Sequence, residues 1–80
     1  MKVLFYGRLA DVVGPALDID ALPGCSTAEL RERVIAEHPQ LEPMLKSKRA
    51  RACVGDTLVG DDYELAAGDT LEFLPPVSGG

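Results

Sequence analysis

Eighty residues, 46% of them hydrophobic and 26% charged, suffice for one globular domain but leave little volume for an enclosed active site. Thirteen acidic side chains against eight basic ones give a net charge of −5, the wrong sign for a nucleic-acid binder that must meet phosphates. No stretch reaches the roughly 20 apolar residues of a membrane span and no apolar leader follows Met1, so the expectation is a cytoplasmic protein with no nucleic acid and no membrane among its partners.

Val3-Leu4-Phe5-Tyr6 is an apolar run of strand formers, the pattern of a central strand covered on both faces. Gly7 ends it, and a loop through Gly14-Pro15 is expected before Leu17-Asp18-Ile19-Asp20, whose alternation turns Leu17 and Ile19 inward. The two runs read as a hairpin with a long connection. Pro23-Gly24 breaks the chain. Ser26-Thr27-Ala28-Glu29 is then a capping box, in which the Ser26 hydroxyl accepts from the Glu29 backbone and the Glu29 carboxylate accepts from that of Ser26. The helix it starts should run to about His38, because Pro39 disfavours helical geometry in the residue before it. Leu30, Val34 and Ile35 form its apolar face, and Arg31, Glu32, Arg33 and Glu37 are assigned to solvent.

Leu41, Met44 and Leu45 suggest a short second turn of helix. The basic stretch Lys46, Lys48, Arg49 and Arg51 reads as a solvated loop, with contact to a phosphate or an acidic partner as the alternative. Ala50 to Val54 and Thr57 to Val59 are strands joined by a two-residue turn at Gly55-Asp56. Gly60-Asp61-Asp62 is polar loop and Ala67-Gly68-Asp69 a turn. Thr70 to Leu74 is the last strand, with Leu71 and Phe73 facing the core. This order implies an α+β fold, a mixed sheet of about five strands with one main helix across one face and the last strand parallel beside the first.

Few side chains suggest chemistry. Asp18, Asp20, Asp61 and Asp62 read as solvated carboxylates, and His38 sits where it complements a helix dipole. Cys25 and Cys53 lie in no metal-binding or CxxC pattern; one disulfide is possible, and two free thiols in a reducing compartment fit better. The ending Pro75-Pro76-Val77-Ser78-Gly79-Gly80 is different. Two prolines stop strand pairing, and two glycines form a thin, adaptable segment able to thread a narrow channel toward a free carboxylate. Such a carboxylate can attack the α-phosphate of ATP, and the resulting acyl-adenylate can accept sulfur or an amine. Residues 1–74 are therefore expected to be the folded domain and 75–80 a flexible tail.

The chain resembles the small, sulfur-carrying subunits of molybdopterin synthase, the MoaD family of ubiquitin-like β-grasp proteins, which are related to the thiazole sulfur carrier ThiS. The resemblance rests on Val3 to Ala10, on Ser26-Thr27 with Leu30, on Ala52-Cys53-Val54-Gly55, and on Gly68-Asp69-Thr70-Leu71-Glu72-Phe73-Leu74-Pro75-Pro76-Val77-Ser78-Gly79-Gly80. It implies that Gly80 is adenylated by an E1-like, MoeB-like enzyme that uses ATP, and is then converted to a thiocarboxylate. It further implies that Phe73, Leu74, Pro75, Pro76, Val77, Ser78 and Gly79 guide the tail into a MoaE-like large subunit, in a heterotetramer, where sulfur passes to cyclic pyranopterin monophosphate to build a dithiolene. On this reading the catalytic side chains belong to the large subunit, and this chain holds no permanently bound cofactor and no metal. Carriers for thiazole, tRNA or cysteine synthesis, a conjugating tag, and a plain interaction module remain the alternatives.

Overall fold

Period-two alternation sorts the strand side chains onto two faces, and the apolar set of one face decides where the helices lie. The structure, a computed structural model, describes residues 1–47 and 50–74. In chain order it contains β1 (Lys2–Phe5), α1 (Arg8–Val13), β2 (Ala16–Asp18), α2 (Thr27–Glu37), a 3-10 turn (Pro39–Leu41), α3 (Glu42–Leu45), β3 (Arg51–Val54), β4 (Thr57–Val59) and β5 (Thr70–Leu74). The strands form one sheet in the order β2-β1-β5-β3-β4. β1 and β5 run parallel at its centre, and the other neighbours are antiparallel. This is the mixed, five-stranded β-grasp sheet that the sequence predicts.

The inward face carries Val3, Phe5, Leu71, Phe73 and Ala52, which share one core with Leu30, Val34 and Ile35 of α2. Phe5 and Phe73 lie opposite each other in the parallel register, with ring centres 5.9 Å apart and planes inclined by 25°. Leu41 and Leu45, from the turns after α2, close one side of this core, and Ile19 and Leu65 also pack into it.

The start of α2 satisfies its orphan donors in two ways. Ser26 Oγ accepts from the Glu29 N–H at 3.1 Å, and Glu29 Oε1 accepts from the Ser26 N–H at 3.3 Å, which is the expected capping box. The Thr27 and Ala28 N–H groups donate to the carbonyls of Tyr63 and Asp61, at 2.9 and 3.1 Å. The segment after β4 is thus bound along the start of α2. Gly24 N–H donates to Leu65 O and Leu65 N–H to Cys25 O, continuing the attachment. Gly55 and Asp56 both adopt positive φ, 54° and 68°, as a tight two-residue hairpin turn requires, so the turn forms where the sequence places it.

Two expectations need correction. The β1–β2 connection is not all loop: it contains α1, held down by the fully buried Leu9 and ended at Gly14, whose φ of 89° suits glycine. Six residues are too few to reveal a helical period, and burial of one leucine supplies what propensity does not. Arg31 is not solvated either. Its side chain is only 15% exposed, its guanidinium lies over the Phe73 ring with Cζ 5.8 Å from the centroid, and Nη1 donates to Asp61 Oδ1 at 2.6 Å. The ring face and the aliphatic stem of arginine suit one another, so a charged residue beside the apolar stripe is drawn inward. Arg31 Nε is buried and has no hydrogen-bond partner among the described residues.

Two substitutions test this account by urea denaturation. Ser26→Ala is expected to cost about 1 kcal/mol, the usual loss for an N-cap. Phe73→Ala is expected to cost about 3–5 kcal/mol, a large part of the stability of a domain this size. An unchanged midpoint for the second variant would mean that the Phe5–Phe73 contact does not organise the core.

Candidate functional site

β5 is the central strand, and it ends at Leu74. Of the expected site residues, Pro75, Pro76, Val77, Ser78, Gly79 and Gly80 lie outside the described residues. The two that are described have opposite environments. Phe73 is 0% exposed, in contact with Phe5 and Arg31, and so offers no surface to a partner. Its expected docking role is corrected to an internal one: inward parity on a central strand makes it an anchor for β5. Leu74 faces the other way, half-buried, across from Arg51 in the β3–β5 register.

The outward face of the sheet is therefore the one that carries Leu74, the last described residue. Glu72 sits at its middle, with Leu4 of β1 opposite on one side and Cys53 of β3 opposite on the other. Leu58 of β4 follows beyond Cys53 and is 56% exposed. Tyr6, 42% exposed, continues β1 past its last paired residue and donates its hydroxyl proton to Glu72 Oε1 at 2.5 Å. That hydrogen bond to a carboxylate, with smaller contributions from desolvation and from the charges of Glu72 and Asp56, pushes the Tyr6 phenol above its ordinary pKa. Burial, then the charges of Glu72 and Asp56, pushes the Cys53 thiol up as well. A thiol moved in that direction stays protonated near neutral pH and is a poor nucleophile.

The remaining candidates are dispersed. Asp61 pairs with Arg31, while Asp62 and Glu64 are exposed. His38 ends α2, with its backbone N–H on Val34 O. Lys46 lies 3.6 Å from Glu32 and 3.5 Å from Glu42, which compensates its charge, while Lys48 and Arg49 fall outside the described residues. Cys25 and Cys53 carry free thiols. Among the described residues no group of three or more His, Cys, Asp or Glu could hold a metal, and no helix is long and apolar enough to cross a membrane.

Sequence reading singled out the residues after Leu74 and missed the outward face of the sheet. The available signal was register: once β1 and β5 are taken as parallel neighbours with Phe5 beside Phe73, Leu4 must lie beside Glu72. Tyr6, the last residue of the apolar run, then stands next to the same carboxylate. What the described residues supply is an outward sheet face with Glu72 at its middle and Tyr6, Leu58 and Leu74 around it.

Residues 3–80 match the ThiS family. The chain is 32% identical over 80 residues to the molybdopterin synthase sulfur carrier subunit of Escherichia coli (strain K12), covering all of this chain and 99% of that one. It is 30% identical to the protein of the same description from Chlamydomonas reinhardtii, covering all of this chain and 98% of the other. Among solved structures, SAMP1 from Haloferax volcanii superposes with a TM-score of 0.84 at 22% identity, covering 99% of this chain and 97% of that one. A chain from the Amycolatopsis orientalis BexX/CysO complex superposes with a TM-score of 0.75 at 23% identity, covering 99% and 98%. These two show a shared ubiquitin-like fold. On the match across nearly its whole length, the chain belongs to the ThiS family, and its relatives include molybdopterin synthase sulfur carrier subunits.

Proposed function

We propose that this protein is the sulfur carrier subunit of molybdopterin synthase, with Gly80 as the residue that bears the sulfur. The observation that carries the reading is the 32% identity to the Escherichia coli carrier over the full length of both chains. In the proposed cycle an adenylating enzyme brings ATP, and a Gly80 carboxylate oxygen attacks the α-phosphate, expelling pyrophosphate. Sulfur at the sulfide level (hydrosulfide) then attacks the acyl carbon, AMP leaves, and a thiocarboxylate remains. The large subunit takes up the tail, and the sulfur passes to cyclic pyranopterin monophosphate on the way to the dithiolene. Gly79 suits a narrow channel because it has no side chain. Pro75 and Pro76 limit the freedom that docking would remove, which favours binding.

The fold supports this division of labour. Phe73 fixes the inner side of β5, and Tyr6, Leu58 and Leu74 offer apolar surface on the outer side. A partner can hold the outer face while the tail reaches its site. The ThiS family match favours a second reading, with the same carboxylate chemistry serving another client such as thiazole synthesis.

Intact-mass analysis of protein isolated from its native cells is expected to show a fraction heavier by the difference between one sulfur and one oxygen atom. Loss of that species on Gly80 deletion, or on addition of one residue after Gly80, is expected too. Persistence of sulfur delivery in the lengthened variant would rule out the terminal glycine as the carrier atom's site. Expression in a strain lacking its molybdopterin synthase carrier should restore molybdoenzyme activity. Restoration of thiamine-independent growth alone would assign the second reading.

A further inference from the structure

The outer sheet face has a feature that apolar docking does not explain, a carboxylate at its centre. Glu72 is half-buried, and its neighbours in register are Leu4 and Cys53, with Leu58 one strand further out. Lys2 and Arg51 stand one register step away, opposite Thr70 and Leu74, yet no ion pair among the described residues reaches Glu72. Its one described hydrogen bond comes from Tyr6, which binds Oε1. Beside it a shallow depression is lined by Lys2, Leu4, Gly55, Thr70 and Glu72. The charges of Glu72 and Asp56 add, after hydrogen bonding and burial, to the upward pKa shifts of Tyr6 and Cys53.

A partner laid over this face strips water from Glu72. An unpaired carboxylate under an apolar interface is costly, and a cation that meets it removes that cost. Tyr6 presents an exposed ring next to the carboxylate, and a planar guanidinium can receive the carboxylate and stack on a phenol together, which an ammonium does less well.

We infer that Glu72, oriented by Tyr6, is the charged anchor of the docking face, and that the protein partner seats an arginine side chain on it within a ring of apolar contacts. This rests on the carrier reading, because it takes the partner to be a protein that covers the sheet beside the tail. It adds what selects that partner: complementary charge at one central position, with Leu4, Leu58 and Leu74 excluding water around it.

The test uses the full chain with its purified molybdopterin synthase large subunit and adenylating enzyme from the same genome. Glu72→Gln removes the charge while its amide oxygen can still accept from Tyr6, so the fold and the local hydrogen bond are preserved. Binding of at least one partner is expected to weaken roughly tenfold or more, with a shallower dependence on salt. Tyr6→Phe is expected to weaken it by a smaller factor. Single replacement of partner arginines should identify one whose loss adds little in the Glu72→Gln background. Leu58→Glu, on the same face, serves as the comparison. If Leu58→Glu abolishes binding while Glu72→Gln stays within about twofold of the natural chain, the face docks without this anchor and the inference is wrong. If both variants bind normally, the partner uses another surface and the inference is also overturned. Failure of the natural chain to bind either protein would remove the carrier reading and this inference together. A dimer of the natural chain that Glu72→Gln dissociates, with partner binding unchanged, would assign the face to a second copy instead and overturn the arginine anchor.

Discussion

The contact between Phe5 and Phe73 across the parallel β1–β5 pair organises the molecule. Both rings are inward and almost completely buried, so the two central strands are held in one register. A slip of one residue would put Glu72 in the core and Phe73 in water, which the hydrophobic pattern does not permit. Arg31 lies over the Phe73 ring and connects α2 to the loop that carries Asp61. The Arg31–Asp61 pair is partly solvated, because the Asp61 side chain is 70% exposed, so its electrostatic contribution is small. The packing of the stem and guanidinium on the ring matters more.

That register also assigns the roles of β5. Its inner residues belong wholly to stability. Its outer residues, Glu72 and Leu74, belong to a surface that other strands complete with Leu4, Tyr6, Cys53 and Leu58. A five-residue strand can serve both ends because successive side chains point to opposite faces. This separation explains why Phe73, read from sequence as part of a docking segment, is internal while its neighbours on either side are not.

Much of the fold was legible because local signals agreed with the tertiary outcome. The Ser26–Glu29 capping box, the boundary before Pro39, the Gly55-Asp56 turn and the alternation of Thr70 to Leu74 each rest on short-range chemistry, and each formed where it was read. The elements that were not legible depend on contacts far away in sequence. α1 exists because Leu9 finds a place in the core, and Arg31 turns inward because Phe73 presents a ring beneath it. The segment from Asp61 to Leu65 looks polar and unstructured, yet its carbonyls satisfy backbone donors at the start of α2. For the site, the tail was conspicuous in sequence and the face was not, since Tyr6 and Glu72 are 66 positions apart and meet only through strand pairing.

The central place of β5 has a consequence for how the molecule is made. Its partner β1 is synthesised long before it, and neither β1 nor β3 can complete the sheet without it. Closing a parallel pair across nearly the whole chain is slow compared with forming local turns and helices. On the ribosome, a nascent chain lacking Thr70 to Leu74 has no middle to its sheet and leaves Phe5 exposed to cellular quality control. Translation must therefore pass through the strand that precedes the tail before a stable domain appears, so a prematurely stopped product that folds and competes for a partner is disfavoured from the outset.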